Sequence, residues 1–313
     1  MIIYLLRRIL YTLPIALAVS LVCFMLVHIA PGDPINAILP PDAPQELVIQ
    51  IKHEYGLDKP LPLQFGYWLG ELAHGNLGQS IFLQRPVTQA LLERAEPTFF
   101  LTLFSILIAT LIGVPCGIVA AVWRGRTIDQ FFSGFAMLGA SIPSFWFGLI
   151  LMQIFAVGLG WFPVAGYGNP GVPLSERLQH LVLPSIVLGV VNSALILRFT
   201  RASMLDVLGD DHIRTARAKG LSEASVILRH ALRNALIPVI TVLGLTFALL
   251  IGGAIVTETV FGLPGVGNLV VSAVLRRDYP VIQGALLVIA GLYVLINLAI
   301  DLLYLVVDPR VKY

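Results

Sequence analysis

Residues 99–123 read FFLTLFSILIATLIGVPCGIVAAVW, an unbroken run without one Asp, Glu, Lys or Arg. A helix rises about 1.5 Å per residue, so a hydrocarbon core about 30 Å thick needs about 20 mainly apolar residues to cross. This run meets that length. Working outward, five further runs qualify, at residues 9–29, 131–157, 181–197, 235–256 and 281–307. The run at 181–197 is the shortest, and its start lies within a few residues of Pro184.

Composition agrees. Of 313 residues 57% are hydrophobic and 12% charged, with a mean hydropathy of +0.87. A soluble domain carries about a quarter charged residues, so this chain lacks the charge to cover a soluble surface. Disorder is excluded as well, because it requires low hydrophobicity and high charge. A net charge of +2 offers nothing for nucleic acid. The reading is an all-α membrane protein with six transmembrane helices. Arg7-Arg8 ahead of the first run is signal-like, but the run is longer than a signal core of about 7–15 residues. Pro31-Gly32-Asp33-Pro34 follows it in place of a cleavage site, so the run is expected to be retained.

Basic residues set the orientation, because cytoplasmic loops carry the excess of Lys and Arg. Thirteen fall on one side of the six runs and seven on the other, four of those seven in one long loop. Both termini are therefore expected in the cytoplasm. The outer loop at 31–97 carries eight acids and four bases and shows helical patterns near 45–55 and 63–73. The inner loop at 198–234 carries seven bases and four acids. Cys23 and Cys116 sit far apart inside apolar runs and read as small buried side chains.

Several chemistries are missing. None of the four lysines precedes Ser or Thr, so there is no Walker phosphate loop. His53-Glu54 opens like a zinc-protease motif, but Leu57 stands where the second histidine belongs. No Gly-x-Ser-x-Gly elbow occurs, and the six histidines share no ligand spacing. No enzyme activity, metal site or cofactor is expected on this chain. Ionisable groups are also sparse in the runs, Asp301 with Asn297 on one helix face being an exception near an end. A self-contained secondary transporter or channel is the rival from another class. Secondary transporters bury such groups near mid-membrane, so the energy for moving a solute is expected to come from elsewhere.

The inner loop carries the strongest signal. Asp210-Asp211 opens a helical stretch through His212-Ile213-Arg214-Thr215-Ala216-Arg217-Ala218-Lys219, which Gly220 ends before Leu221, and Ser222-Glu223 opens a second. Ala216, Ala218 and Gly220 suggest a low-profile surface that a partner's backbone can approach. Composition alone also fits a basic segment lying on anionic lipid.

This stretch, continued by His230-Ala231-Leu232-Arg233-Asn234-Ala235-Leu236-Ile237-Pro238, resembles the coupling loop of ABC importer permeases. It looks most like the branch serving dipeptides, oligopeptides, glutathione and nickel. Aligned on Gly220, Arg214-Thr215-Ala216 stands where the wider superfamily has Glu-Ala-Ala, and His230 and Arg233 replace a later Ile and Pro; that departure is typical of the peptide branch. Further resemblances follow in family order: Arg7-Arg8, Pro31-Gly32-Asp33-Pro34, Gly56-Leu57-Asp58 with Pro60, Leu77-Gly78 with Ser80, and Arg85-Pro86-Val87. Then come Glu258-Thr259-Val260-Phe261, Pro264-Gly265-Val266-Gly267, Arg277-Asp278-Tyr279-Pro280 and Asp308-Pro309-Arg310.

The resemblance implies a type I importer permease fold in a bacterial inner membrane. Residues 1–30 would be an N-terminal transmembrane helix, 31–97 a periplasmic lobe, and 98–313 the core permease domain. It also implies a second homologous permease subunit, two cytoplasmic ATPase subunits carrying ATP and Mg, and an external solute-binding protein. Small peptides are the expected solute, with glutathione or nickel and other metal chelates as alternatives. The ATPase-coupling residues would be Arg214, Thr215, Ala216, Arg217, Ala218, Lys219, Gly220, Leu221, Arg233 and Asn234. Ser141, Asn192, Ser193 and Glu258 are candidates for the route or a gate; helix-to-helix hydrogen bonds, or a paired charge for Glu258, explain them equally. Arg277, Asp278 and Tyr279 are candidate contacts for the binding protein, although Arg277 and Asp278 can instead pair with each other. Pro143 and Pro184 are expected to kink their helices.

Overall fold

The structure is a computed structural model that describes residues 2–29, 44–54, 58–168 and 171–307. Pro31-Gly32-Asp33-Pro34, Gly56-Leu57 and Asp308-Pro309-Arg310, all named above, lie outside the described residues, as do the side chains of Arg7 and Arg8. Within the described residues the framework is helical, with one isolated antiparallel bridge between Gln79 and Pro86.

In chain order the helices are α1 (Ile2–Ile29), α2 (Gln45–Glu54), α3 (Leu61–Ala73), α4 (Val87–Val122), α5 (Thr127–Ser141) and α6 (Ser144–Leu151). A π-helical turn, Met152–Gly158, prolongs α6. Then follow α7 (Leu174–Gln179), α8 (Val182–Leu208), α9 (Asp211–Ala218) and α10 (Glu223–Ser225). A second π turn, Val226–Ala231, leads into α11 (Leu232–Val260), and α12 (Val266–Arg276) and α13 (Tyr279–Val307) complete the chain.

Among the described residues, four helical stretches are long and apolar enough to cross a membrane: Val87–Val122, Val182–Leu208, Glu223–Gly252 and Tyr279–Leu302. The expected third crossing is not one helix. Thr127–Ser141 and Ser144–Gly158 meet at 98°. The cause is local: a residue before proline is pushed out of the helical region. Ile142 is extended at φ −83° and ψ 123°, and Pro143 follows at φ −62° and ψ 129°. Pro143 therefore breaks the run where a kink was expected. Pro184, by contrast, is buried inside the first turn of α8, where a missing N–H matters little.

The chain packs as two units, Met1–Glu96 with Gly265–Val294 and Pro97–Pro264 with Leu295–Tyr313. In the first, Val87, Ala90 and Leu91 of α4 share a core with Leu269 and Ala273 of α12 and Val281 and Ala285 of α13. Phe24 of α1 lies against Phe65 and Trp68 of α3, with ring centroids 5.4 and 5.7 Å apart. The second unit is built on α8, which packs against α5 and α11. Small residues let α4 approach it closely, as in membrane helix pairs generally. A Cβ on Gly113 would lie 2.8 Å from Cβ of Ile196, and one on Gly117 would lie 2.6 Å from Cβ of Thr200. The facing Gly189 of α8 meets Ile108 in the same way, at 2.6 Å. Side chains larger than hydrogen at these positions would push the helices apart.

Candidate functional site

The elbow after α8 is built by local rules. Asp210 is extended at φ −70° and ψ 151°, and Asp211 in the first turn of α9 and Arg217 in its last suit the helix dipole. Ile213 and Ala216, three apart, share the inward face. Ile213 is fully buried, and both join Ala121, Met204, Val226, Ala231 and Ala235 in one apolar cluster. Gly220 at φ +77° closes the helix: its N–H donates to Arg217 O at 2.9 Å and that of Leu221 to Ala216 O at 3.4 Å. That is a Schellman closure, and its left-handed residue is most readily glycine.

Two polar ties stiffen the elbow. Arg217 grips Glu223 with Nε to Oε1 at 2.8 Å and Nη2 to Oε2 at 3.3 Å. His212 Nε2 lies 3.1 Å from Asn234 Nδ2, which joins the start of α9 to the start of α11. Arg214, Thr215, Arg217, Ala218, Lys219, Gly220, Leu221, Arg233 and Asn234 are exposed together on this elbow and its flank. Ala216 corrects the expected surface: it turns inward because it shares the face of Ile213, so the small exposed positions are Ala218 and Gly220. Beside the elbow lies a cleft of about 750 Å³ whose lining includes His212, Leu221, Arg229, Arg233 and Asn234 and contains no acid.

A further polar tie was missed. Arg201 of α8 grips Asp129 of α5, Nε to Oδ1 at 2.6 Å and Nη2 to Oδ2 at 2.8 Å. The partners are 72 residues apart, and nothing local in the sequence pairs them. One clue existed: Asp129 and Glu176 are the two acids between residues 97 and 205.

The candidate route residues are not brought together by hydrogen bonds. Ser141 donates to Met137 O at 2.8 Å, Asn192 to Leu188 O at 2.8 Å and Ser193 to Val190 O at 2.7 Å, each bonding its own helix. Ser193 is fully buried at the α4–α8 crossing and donates within its own helix. Glu258 is likewise buried; it accepts from Thr98 Oγ1 at 2.6 Å.

Asp278 corrects the expected outer contact. It is 3% exposed and accepts from Ser80 Oγ at 2.5 Å, Phe82 N at 3.2 Å and Ile81 N at 3.3 Å. It shapes the turn at 80–84 instead of presenting itself to a partner, and does not pair with Arg277. Arg277 remains exposed at φ +56°, and Tyr279 is half-buried. The guanidinium of Arg276 sits 3.7 Å over the Phe82 ring, which steadies that turn further.

The family model for the binding-protein-dependent transport system inner membrane component matches residues 113–313, and the model for the N-terminal part of such components matches residues 1–102. A probable peptide ABC transporter permease, y4tP of Sinorhizobium fredii, is 44% identical over 99% of both chains. The glutathione transport system permease GsiC of Salmonella typhimurium is 44% identical, and that of Escherichia coli K12 43%, again over 99% of both chains. In three dimensions the chain is similar to a structure of the inward-facing MetNI methionine ABC transporter, with a TM-score of 0.57 and 20% identity. That match covers 71% of this chain and 97% of the other.

Proposed function

Because this chain belongs to the family of binding-protein-dependent transport system inner membrane components, we propose that it forms half of a translocation route for small peptides, glutathione included. It is a multi-pass membrane permease subunit of an ATP-driven importer, with the type I importer permease fold. Importers of this family combine permeases with ATPase subunits and a solute-binding protein. The finer arrangement is our reading: one second homologous permease, two cytoplasmic ATPase subunits that hold ATP and Mg, and both termini of this chain in the cytoplasm of a bacterial inner membrane.

The observation that carries the solute class is identity of 44% over 99% of the chain to a probable peptide permease and to a glutathione permease. Glutathione is itself a tripeptide, so these named solutes share amide groups and free carboxylates. The peptide reading therefore takes precedence over the metal-chelate alternative.

In this reading ATP binding closes the ATPase pair, which displaces the elbow at 210–223 as a rigid lever, and the spans rock from inward- to outward-facing. Support comes from the elbow itself, which is exposed outside, anchored inside by Ile213 and locked by Arg217–Glu223. The chain holds and shapes the route, while hydrolysis belongs to the partners. The test is reconstitution of the assembled importer with its binding protein. Glutathione or a dipeptide should stimulate ATP hydrolysis, whereas stimulation by a nickel chelate alone would overturn the solute assignment.

A further inference from the structure

Both carboxylate oxygens of Asp129 are engaged. Oδ1 accepts from Arg201 Nε at 2.6 Å and Ser133 Oγ at 3.3 Å, and Oδ2 from Arg201 Nη2 at 2.8 Å and Gly125 N at 2.9 Å. The Asp129 side chain is 7% exposed and that of Arg201 30%. A buried carboxylate held by a bidentate guanidinium fixes angle as well as distance, so the pair sets how the start of α5 is aligned on the end of α8.

The rest of that interface is apolar. Ala136 of α5 packs with Ala194 and Leu197 of α8, with Phe132 and Phe135 of α5 against them, and a Cβ on Gly139 would lie 3.4 Å from Cβ of Ala194. Apolar packing of this kind is non-directional and by itself fixes no angle. The ion pair adds to that packing a directional contact that ties the start of α5 to the end of α8.

The same end of α8 anchors the elbow. Met204, one turn beyond Arg201, is fully buried in the cluster that holds Ile213 and Ala216. Ala121 of α4 belongs to that cluster too, and lies just ahead of the Gly125 turn that donates to Asp129. Elbow, end of α8, turn at 123–126 and start of α5 thus form one connected body. Beyond it, α5 leads to the break at Ile142-Pro143 and the second limb of the bent pair.

We propose that Asp129 and Arg201 are positioning residues for transport: their ion pair is the joint through which displacement of the elbow is passed to the bent pair α5–α6. This rests on the elbow being the ATPase-driven lever, as argued above. A joint of this kind holds ATP hydrolysis and solute movement together, and breaking it should separate them.

The test uses the assembled importer in proteoliposomes with its binding protein, and whichever of glutathione, a dipeptide or a nickel chelate stimulates hydrolysis in the preceding experiment. Asp129→Asn is nearly isosteric and keeps an acceptor for Gly125 N–H, but loses the negative charge that faces the Arg201 guanidinium. Arg201→Lys keeps the charge and loses the two-pronged grip. A charge swap is no useful rescue, because Arg at 129 would face the Gly125 N–H. Co-purification of the ATPase subunits should be unchanged in both variants, since the exposed elbow is untouched. Solute carried per ATP hydrolysed should fall by about tenfold in Asp129→Asn and about threefold in Arg201→Lys. A merely structural role would lower uptake and hydrolysis in proportion and leave that ratio alone. An unchanged ratio in either variant overturns the joint, as does loss of the ATPase subunits from Asp129→Asn. If Asp129→Asn fails to accumulate, the ratio in Arg201→Lys decides. Failure of the elbow reading shows separately, as normal assembly and uptake in Gly220→Glu.

Discussion

At Gly220 two costs can be told apart, because no heavy atom lies within 4 Å of where its Cβ would stand. Gly220→Ala meets only the backbone penalty of φ +77°, about 1–2 kcal/mol, and should leave membrane levels and uptake close to normal. Gly220→Glu adds a carboxylate at the proposed ATPase contact, so it should insert normally yet fail to retain the ATPase subunits on purification. Its neighbours sharpen the contrast. Ala216 is 6% exposed among Met204, Val226 and Ala235, so Ala216→Glu buries a charge in that cluster and should cost several kcal/mol, seen as loss of folded protein. Ala218 is exposed, and Ala218→Glu should keep protein levels and weaken only assembly. If Ala216→Glu and Ala218→Glu accumulate equally, the inward orientation of Ala216 is wrong. The sequence displayed this elbow's boundary, since acids, helix formers and Gly220 are local signals. It hid which small residue faced inward, because that depends on packing against Ala121 and Val226 from other helices. Asp278 was hidden for the same reason: its partner Ser80 is 198 residues away.

Single helices respond to their glycines and prolines. Gly113→Ala places a Cβ 2.8 Å from Ile196, an overlap that must separate α4 from α8 and should cost about 1–3 kcal/mol. Gly134→Ala, with nothing within 4 Å, is the matched control and should be neutral or slightly stabilising through helix propensity. Thermal unfolding in detergent compares the two, and equal midpoints would contradict the close crossing. Pro143→Ala removes the restriction on Ile142 and should let α5 run on toward α6. Spin labels at the exposed Met137 and Leu149 would then approach the roughly 18 Å expected of a straight helix over that span, against a shorter separation across the 98° bend. An unchanged separation would mean that packing, not proline, holds the break. Long apolar runs were legible because length alone identifies them. The bend was not, since a proline inside an apolar run is equally compatible with an assigned helix that runs on through it, as α4 does through Pro97 and Pro115.

For the whole chain the open quantity is the number of crossings, and the bent pair decides it. Among the described residues four helical stretches are long and apolar enough to cross, and α1 adds an apolar stretch at Leu10–Leu26. The pair α5–α6 either completes a sixth crossing or enters and leaves by one face. The second choice inverts everything after it, because each later helix then runs the other way. Of the thirteen basic residues now assigned to the cytoplasm, only Arg7, Arg8, Arg124 and Arg126 would stay; nine would move outside and Arg177, Arg276 and Arg277 would move in, leaving seven within and thirteen outside. That reverses the usual bias of Lys and Arg toward the cytoplasm, and it would carry the elbow away from any cytoplasmic ATPase. Six crossings are therefore expected. Native Cys23 is buried and Cys116 half-buried, so both can be replaced by Ala before single cysteines are placed at exposed Glu71, Arg126, Ser175 and Ser222. An impermeant thiol reagent added outside should label Glu71→Cys and Ser175→Cys in intact cells, and Arg126→Cys and Ser222→Cys only after the membrane is opened. Labelling of Ser222→Cys from outside together with protection of Ser175→Cys is the signature of re-entry. It would remove the elbow from the cytoplasm and with it the coupling assignment.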